Sequence, residues 1–287
     1  MRLRSASLLI AAALAASPST AGQYGNLPEE PVSTATYTYE APASIDAGGG
    51  RHPDVALHEV NCTVPLLYVP SEATEWAAGL DLTWTRLAFS GIGWRDLDLY
   101  QLTLPLDLVL KSEPWTWWLN VTPGLFSDLD EITGDDYRTL VHAAGLFRSG
   151  PHLQWGLGMA YDRVLGEDRF YPMGGFIWDN GWDLRLQALL PEVRLDWAPS
   201  RSWLAFLQAV PAGGVWHLRE DGGEYDLKIE GFRLLGGCEV LIAPHVWVHA
   251  GTGVSVLRNY ELREPSGNKV DSEADEVWVG QIALVLR

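Results

Sequence analysis

From residue 76 to the end, the chain alternates apolar and polar positions with a period of two, segment after segment. In "WAAGLDLTWTR", Trp76, Ala78, Leu80, Leu82 and Trp84 alternate with Asp81, Thr83 and Thr85. "HLQWGLGMAYD" sets Leu153, Trp155, Leu157, Met159 and Tyr161 against His152, Gln154, Gly156 and Gly158. The same rhythm runs through "WDLRLQALL", "EVRLDW" and "HVWVHAGTGVSV". Successive side chains of a strand point to opposite faces, so each segment predicts a strand with one greasy and one polar or small-residue face. No helical period persists beyond a turn or two.

The breaks sort into two kinds. "KSEP", "RSGP", "DNG", "APSRS" and "APH" are short, whereas "SDLDEITGDD", "LGEDR", "REDGGEY" and "REPSGNKVDSEADE" are longer and acidic. Twelve strands, at 76–90, 94–110, 115–123, 137–149, 152–163, 170–178, 182–190, 192–197, 202–219, 225–243, 246–262 and 275–287, put every short break at one end and every long one at the other. This arrangement requires a turn at Pro191. Asn-Gly between alternating apolar residues, as in "FIWDNGWDLRL", is a hairpin signal. Short turns on one side and long loops on the other are the construction of an all-β, closed antiparallel transmembrane β-barrel, here of about 12 strands, with 10 as the alternative.

Alternation also fits a secreted soluble β-sandwich that binds a ligand. Fourteen tryptophans in 287 residues weigh toward the barrel. Trp94, Trp115, Trp178, Trp182, Trp197, Trp203, Trp247 and Trp278 crowd the strand ends, where an indole prefers the level of lipid headgroups. Before residue 76 the pattern differs. Arg2 and Arg4, an apolar run from Ser7 to Ala16, and Ser19-Thr20-Ala21 read as a secretory signal peptide over 1–21. Residues 22–56, rich in Pro, Ala, Gly, Ser and Thr, read as a disordered periplasmic arm, with the barrel domain over 57–287. Pro65 and Pro70 make 58–70 a poor central strand.

A formal charge of −17 argues against nucleic acid and anionic lipid surfaces as partners. The partners this reading implies are outer-membrane lipid and the barrel-assembly machinery. Cys62 and Cys238 are too few for a disulfide scaffold, but are a candidate single bridge in an oxidising compartment.

The run "YPMGGFIWDNGWDLRLQALLPEVRLDW" resembles the signature of an uncharacterised family of bacterial outer-membrane β-barrel proteins. Its Pro, Gly, Trp, Trp-x-Leu and Pro spacings are matched by Pro172, Gly175, Trp178, Trp182, Leu184 and Pro191. "GGVWHLRED" and "GGCEVLIAPHVWVHAGTGVSVLRNYEL" are similar to that family's last strands. The chain departs from the pattern at Glu192, where members tend to carry a second proline. It also departs at Arg287, where such barrels commonly carry an aromatic residue. The resemblance implies location and shape, and no activity.

Among candidate sites, Arg185, Arg194, Asp196, Glu239 and His249 fall on the polar phase of their strands, so they are expected to face the lumen. Two readings stand: a salt-bridge network filling the barrel, or a lining that selects small solutes. The acidic loop with Asp128, Asp130 and Asp135 is a weak calcium candidate, because its spacing matches no calcium-binding loop. No catalytic set assembles from the seven histidines, so no enzyme activity and no cofactor are expected. A barrel enzyme acting on lipid or peptide at the rim is the alternative to a structural or small-solute barrel.

Overall fold

A computed structural model describes residues 25–28, 31–45, 52–91, 95–162, 169–220, 223–263 and 269–287. The strands are β1 (Ser33–Ser44), β2 (Asp54–Pro70), β3 (Thr74–Ser90), β4 (Leu97–Thr103), β5 (Leu106–Ser112), β6 (Trp115–Ser127), β7 (Tyr137–Arg148) and β8 (Leu153–Asp162). They continue with β9 (Arg169–Asp179), β10 (Leu184–Leu190), β11 (Glu192–Ser200), β12 (Trp203–Glu220), β13 (Gly223–Ala243), β14 (Val246–Arg263), β15 (Lys269–Ala274) and β16 (Val277–Leu286). Each pairs antiparallel with its neighbours, and β1 pairs with β16 from Ser33↔Leu286 to Glu40↔Val279, which closes the sheet on itself. β4 and β5 form one stave interrupted at Leu104-Pro105. Both halves pair with β3 and β6 in a single continuous register. β15 and β16 are likewise two halves of one stave against β14. The barrel therefore has fourteen staves, two more than the alternation predicts.

The two additional staves lie in the N-terminal region. β1 falls within the segment read from composition as a disordered arm, so the barrel begins at Ser33 and not at residue 57. Its small residues alternate as the barrel requires: Thr36, Thr38 and Glu40 are buried, while Ala35 and Tyr37 are exposed. β2 is a full wall strand despite its prolines. Its last rung with β1 is Thr34↔Thr63, so Pro65 and Pro70 lie where that edge has no partner and no N–H is missed. The expected signal peptide lies outside the described residues.

The expected ends hold. The β3–β2, β5–β6, β7–β8, β9–β10, β11–β12 and β13–β14 connections share one end with both termini of the sheet, and the remaining connections share the other. Two expected long loops are shorter than predicted: Arg219↔Glu224 and Glu220↔Gly223 continue the β12–β13 ladder through 219–225, and Lys269–Ala274 within 263–276 is β15. Pro191 does make a turn, with Leu189↔Glu192 closing it. The Asn-Gly turn is wider than a two-residue hairpin. Asn180 Oδ1 accepts from the N–H groups of Trp182, Asp183 and Leu184 at 2.9–3.0 Å, so β10 starts at Leu184 and not at Trp182. An Asx side chain offers these orphan donors an acceptor, which the bare turn could not.

Wall height varies sharply. β10 has 7 residues and β13 has 21. β12 pairs with β11 only up to Val193↔Ala209 and then continues for eleven residues. Over that continuation every residue from 210 to 218 is buried except the half-buried Gly213, so both faces of the strand are covered. A wall strand between lipid and an open lumen would bury neither face fully. Instead β12 bends inward over the low β10–β11 wall and meets β6 through a parallel bridge, His217↔Ser127. Gly213 marks the bend. Its φ of +127° is disfavoured for other residues, and a Cβ there would sit 1.9 Å from the Ile229 carbonyl oxygen.

The inserted β12–β13 hairpin carries the largest apolar core. Trp216, Leu218, Leu227 and Ile229 pack against Leu57, Leu87, Leu99, Phe126 and Leu140 from the opposite walls. This cluster fills the long-loop end of the barrel.

Cys62 and Cys238 are both free thiols, so the candidate single bridge is not formed. β1, β16 and β14 lie between their strands, a separation of about 20 Å at roughly 4.8 Å per strand. A disulfide needs Cα atoms within about 7 Å. Unfolded without reductant, the chain is therefore expected to take up two equivalents of alkylating reagent, as read by intact mass; uptake of none would contradict this placement.

Candidate functional site

Closure of the barrel brings the polar phases of all strands into one lumen, stacked in three levels. At the short-turn end a cavity of about 110 Å³ is lined by all five residues expected to face inward: Arg185, Arg194, Asp196, Glu239 and His249. Cross-strand register explains the grouping. Arg185 lies opposite Asp196, Gln187 opposite Arg194, and Glu239 opposite His249. Arg194 sits at the hub. Its Nε donates to Asp196 Oδ1 at 2.7 Å, Nη2 to Glu239 Oε1 at 2.9 Å, and Nη1 to Gln208 Oε1 at 3.3 Å. Glu239, 2% exposed, also pairs with His249 Nδ1 at 3.2 Å and with the Arg287 guanidinium. The Arg194 guanidinium carbon lies 4.9 Å from the Phe206 ring centroid, and Phe206 stacks on His249.

A segment upstream of β1 crosses this end of the lumen. The Asn26 N–H donates to the Trp182 carbonyl at 2.8 Å and its side chain donates to the Pro199 carbonyl at 3.0 Å. Leu27 packs on Ala198, Leu204, Phe206, Leu235 and Val279, and Leu27, Pro28 and Pro31 line the cavity. These residues come from the same predicted arm, and the structure lays them across the mouth.

The middle level is a buried ion cluster. Arg233, 3% exposed, donates to Glu40 at 2.7 Å and to Glu59 at 3.0 Å, spanning strands β13, β1 and β2. Arg258 lies 3.2 Å from Glu40 and donates to the Tyr260 hydroxyl at 2.6 Å. Toward β5–β8 a second polar group forms. Trp118 and Asn120 donate to Asp107 at 2.9 and 3.0 Å, while His142 bridges Asn120 at 3.2 Å and Asp162 at 2.9 Å. The third level is the apolar core carried by the inserted hairpin.

Sequence reading missed the middle level. Arg233 shares the phase of Glu239 six residues on, so strand parity alone could have found it. Glu40 could not be found while β1 was assigned to an arm. Arg287 was read only as a missing aromatic residue. In the structure its side chain folds inward, with the guanidinium 5.6 Å from the Trp247 ring centroid.

The aromatic positions divide. Trp115, Trp182, Trp197 and Trp278 are 39%, 62%, 47% and 52% exposed on the outer surface. Trp178 and Trp203 are half-buried on the same face, with Trp203 edge-on to Trp197. Trp247 is a correction. It shares the phase of His249, points into the lumen and is only 4% exposed. Trp94 lies outside the described residues.

The acidic loop is occupied with its own folding. Asp128 accepts from the N–H groups of Asp130 and Arg219 at 3.1 and 3.2 Å, and Asp136 accepts from the N–H and hydroxyl of Thr133. Glu131 pairs with Arg219 at 2.7 Å. Among the described residues no group of three or more His, Cys, Asp or Glu side chains is gathered as metal ligands would be.

No protein-family model matches the sequence, and no curated protein matches it. Solved structures with a similar course of the chain include an outer membrane channel from Pseudomonas putida F1, 13% identical, covering 92% of this chain and 98% of that one, with a TM-score of 0.43. The NanC porin is 8% identical over 89% and 99%, with a TM-score of 0.36. LpxR from Salmonella typhimurium is 9% identical over 88% and 99%, with a TM-score of 0.33. Likenesses at this level transfer no residue roles, so the lumen must be read from its own contacts.

Proposed function

We propose that this chain is an outer-membrane β-barrel with a cleaved signal peptide, inserted by the barrel-assembly machinery, whose lumen is closed at rest. Its role is structural rather than that of a freely conducting pore. The outward phase of the wall supports the lipid environment. Trp76, Leu82, Leu119, Trp155, Leu157, Leu207, Ile282 and Leu284 are all 40% exposed or more, on strands that together encircle the barrel. Water-soluble monomers rarely leave an apolar surface of that extent open, whereas a barrel in hydrocarbon needs it. The exposed tryptophans then sit at headgroup level.

The observation that carries the closed reading is the inward-bent β12 segment 210–218, buried on both faces apart from the half-buried Gly213 and bridged to β6. A solute crossing the lumen would have to displace the Trp216 core, the Arg233 ion cluster and the segment at the opposite mouth. Purified protein reconstituted in planar bilayers is expected to give no steady conductance, while migrating heat-modifiably on gels and fractionating with outer membranes. Stable single-channel openings in the wild-type protein would overturn the closed reading. Recovery of the native chain from the soluble fraction would overturn the membrane reading.

A further inference from the structure

Of the elements that close the lumen, the segment across the short-turn mouth is held differently from the rest. The staves are fixed by backbone ladders to their neighbours, and even the inward-bent part of β12 stays paired to β13 as far as Glu220↔Gly223. The mouth segment has no ladder. Its far end is attached by Asn26, which donates to the Trp182 and Pro199 carbonyls, and by the half-buried Leu27 on Ala198, Leu204, Phe206, Leu235 and Val279. Pro28 and Pro31 have no N–H to add.

The near end is fixed. The Val32 N–H donates to the Leu286 carbonyl at 2.8 Å, and from Ser33 the chain is β1. The wall is low where the segment leaves it. β2 runs on to Pro70 past its last rung with β1, Thr34↔Thr63, and that whole extension is exposed. Behind the segment lies the cavity of about 110 Å³, lined by Leu27, Pro28 and Pro31 on one side and by Thr34, Val193 and Val210 on the walls.

Freeing the far end takes little from hydrogen bonding. Trp182 and Pro199 are exposed at the rim, so water replaces the Asn26 donors. What remains is the burial of one leucine side chain. Segments with few buried apolar contacts and no ladder open locally far more readily than core strands.

We propose that residues 25–28 are a strap, hinged at Pro31-Val32 and latched by Leu27, that opens and shuts the short-turn mouth. Open, it admits water and small solutes to the vestibule of Arg194, Asp196 and Glu239. The Arg233 cluster and the Trp216 core beyond it stay shut, so the lumen is a blind vestibule and not a pore. Under the outer-membrane reading above, on which this last point alone rests, the vestibule opens toward the periplasm. Gly25 sets how closely the strap shuts. Its φ is +46°, and a Cβ would fall 1.9 Å from the Trp182 carbonyl oxygen.

The test is the labelling rate of a cysteine behind the strap, in folded, detergent-solubilised full-length protein carrying Cys62→Ala and Cys238→Ala. Val210→Cys is the reporter, and Thr34→Cys on β1 is a second, in case one substitution impairs folding; both positions line the cavity. Ile229→Cys, in the Trp216 core, is the control. Aminoethyl methanethiosulfonate is the probe, and heat-modifiable migration shows that each variant is folded. The reporter is expected to label at least about tenfold faster than Ile229→Cys. Leu27→Ser is expected to raise the reporter's rate about tenfold further and to leave the Ile229→Cys rate unchanged. Gly25→Ala is expected to act in the same direction.

A reporter that labels as slowly as Ile229→Cys, with and without Leu27→Ser, would mean that the mouth does not open, and would overturn the proposal. So would a reporter rate equal to that of the urea-unfolded chain while the strap is intact, since nothing would then occlude the mouth. A reporter rate unmoved by Leu27→Ser, or an equal rise at Ile229→Cys, would deny Leu27 the role of latch and overturn it too. Labelling in detergent does not depend on where the chain resides or on conductance, so the strap and the closed outer-membrane barrel can fail separately.

Discussion

Arg233→Ala is expected to lower the unfolding free energy of the barrel by about 3–5 kcal/mol, the cost of leaving buried charges without their partner. Arg233 is 3% exposed and holds Glu40 at 2.7 Å and Glu59 at 3.0 Å, each of them at least nine-tenths buried. Removing the guanidinium leaves Glu59 facing no cation in this cluster and leaves Glu40 with Arg258 alone. The contrast is Arg263→Ala. Arg263 pairs with Glu261 near the long-loop rim and its side chain is 47% exposed, so the expected loss is about 1 kcal/mol or less. Urea unfolding of vesicle-inserted protein, followed by tryptophan fluorescence, measures both. A loss below about 1 kcal/mol for Arg233→Ala would mean that the cluster is wet, and the middle level would no longer close the lumen. Replacing Arg233, Arg258, Glu40 and Glu59 together by apolar residues of similar size is expected to recover much of the loss. The penalty lies in the uncompensated charge more than in the missing attraction.

Trp216→Ala is the second large effect. Trp216 is 2% exposed and lies in the core that joins the inserted hairpin to β2, β3, β4 and β6. Truncating a buried tryptophan costs about 3–5 kcal/mol, part in lost transfer energy and part in the cavity left behind. The location of the loss discriminates between two architectures. If β12 were an ordinary wall strand beyond Ala209, position 216 would face lipid or water and the change would be mild. Because the hairpin is held in the mouth by this core, Trp216→Ala is expected to loosen its tip as well. Limited proteolysis should then cut between residues 210 and 230 at a rate several-fold above wild type, while the β1–β9 wall stays protected. Unchanged protection at the tip would contradict the inserted geometry.

Legibility in the sequence followed the range of the physics. Arg185, Arg194, Asp196, Glu239 and His249 were readable as lumen residues because strand parity is local, and every one of them lines the same cavity. Trp247 shows that parity outranks residue type. An indole near a strand end suggested a girdle, but its phase matches His249 and it turns inward. Arg233 was within reach of the same rule. The bond from Arg194 to Gln208 Oε1 was not, since it depends on which groups the neighbouring strands present.

What the sequence by itself determined is the alternation of faces, the direction of each strand, and the sorting of short turns from long loops. These properties need only the period-two geometry of a strand and the chemistry of turns. Tertiary structure decided the rest. Fourteen staves rather than twelve follow from closure between β1 and β16, which gives a small-residue segment with weak local preference two full edges to pair with. The inward fold of β12 follows from a wall that ends at residue 192, leaving an edge whose hydrogen bonds and apolar side chains find partners only across the mouth. Cys62 and Cys238 stand apart because three strands close between them. Closure is a long-range condition, set by pairings between residues as far apart as Ser33 and Leu286, and no local period records it.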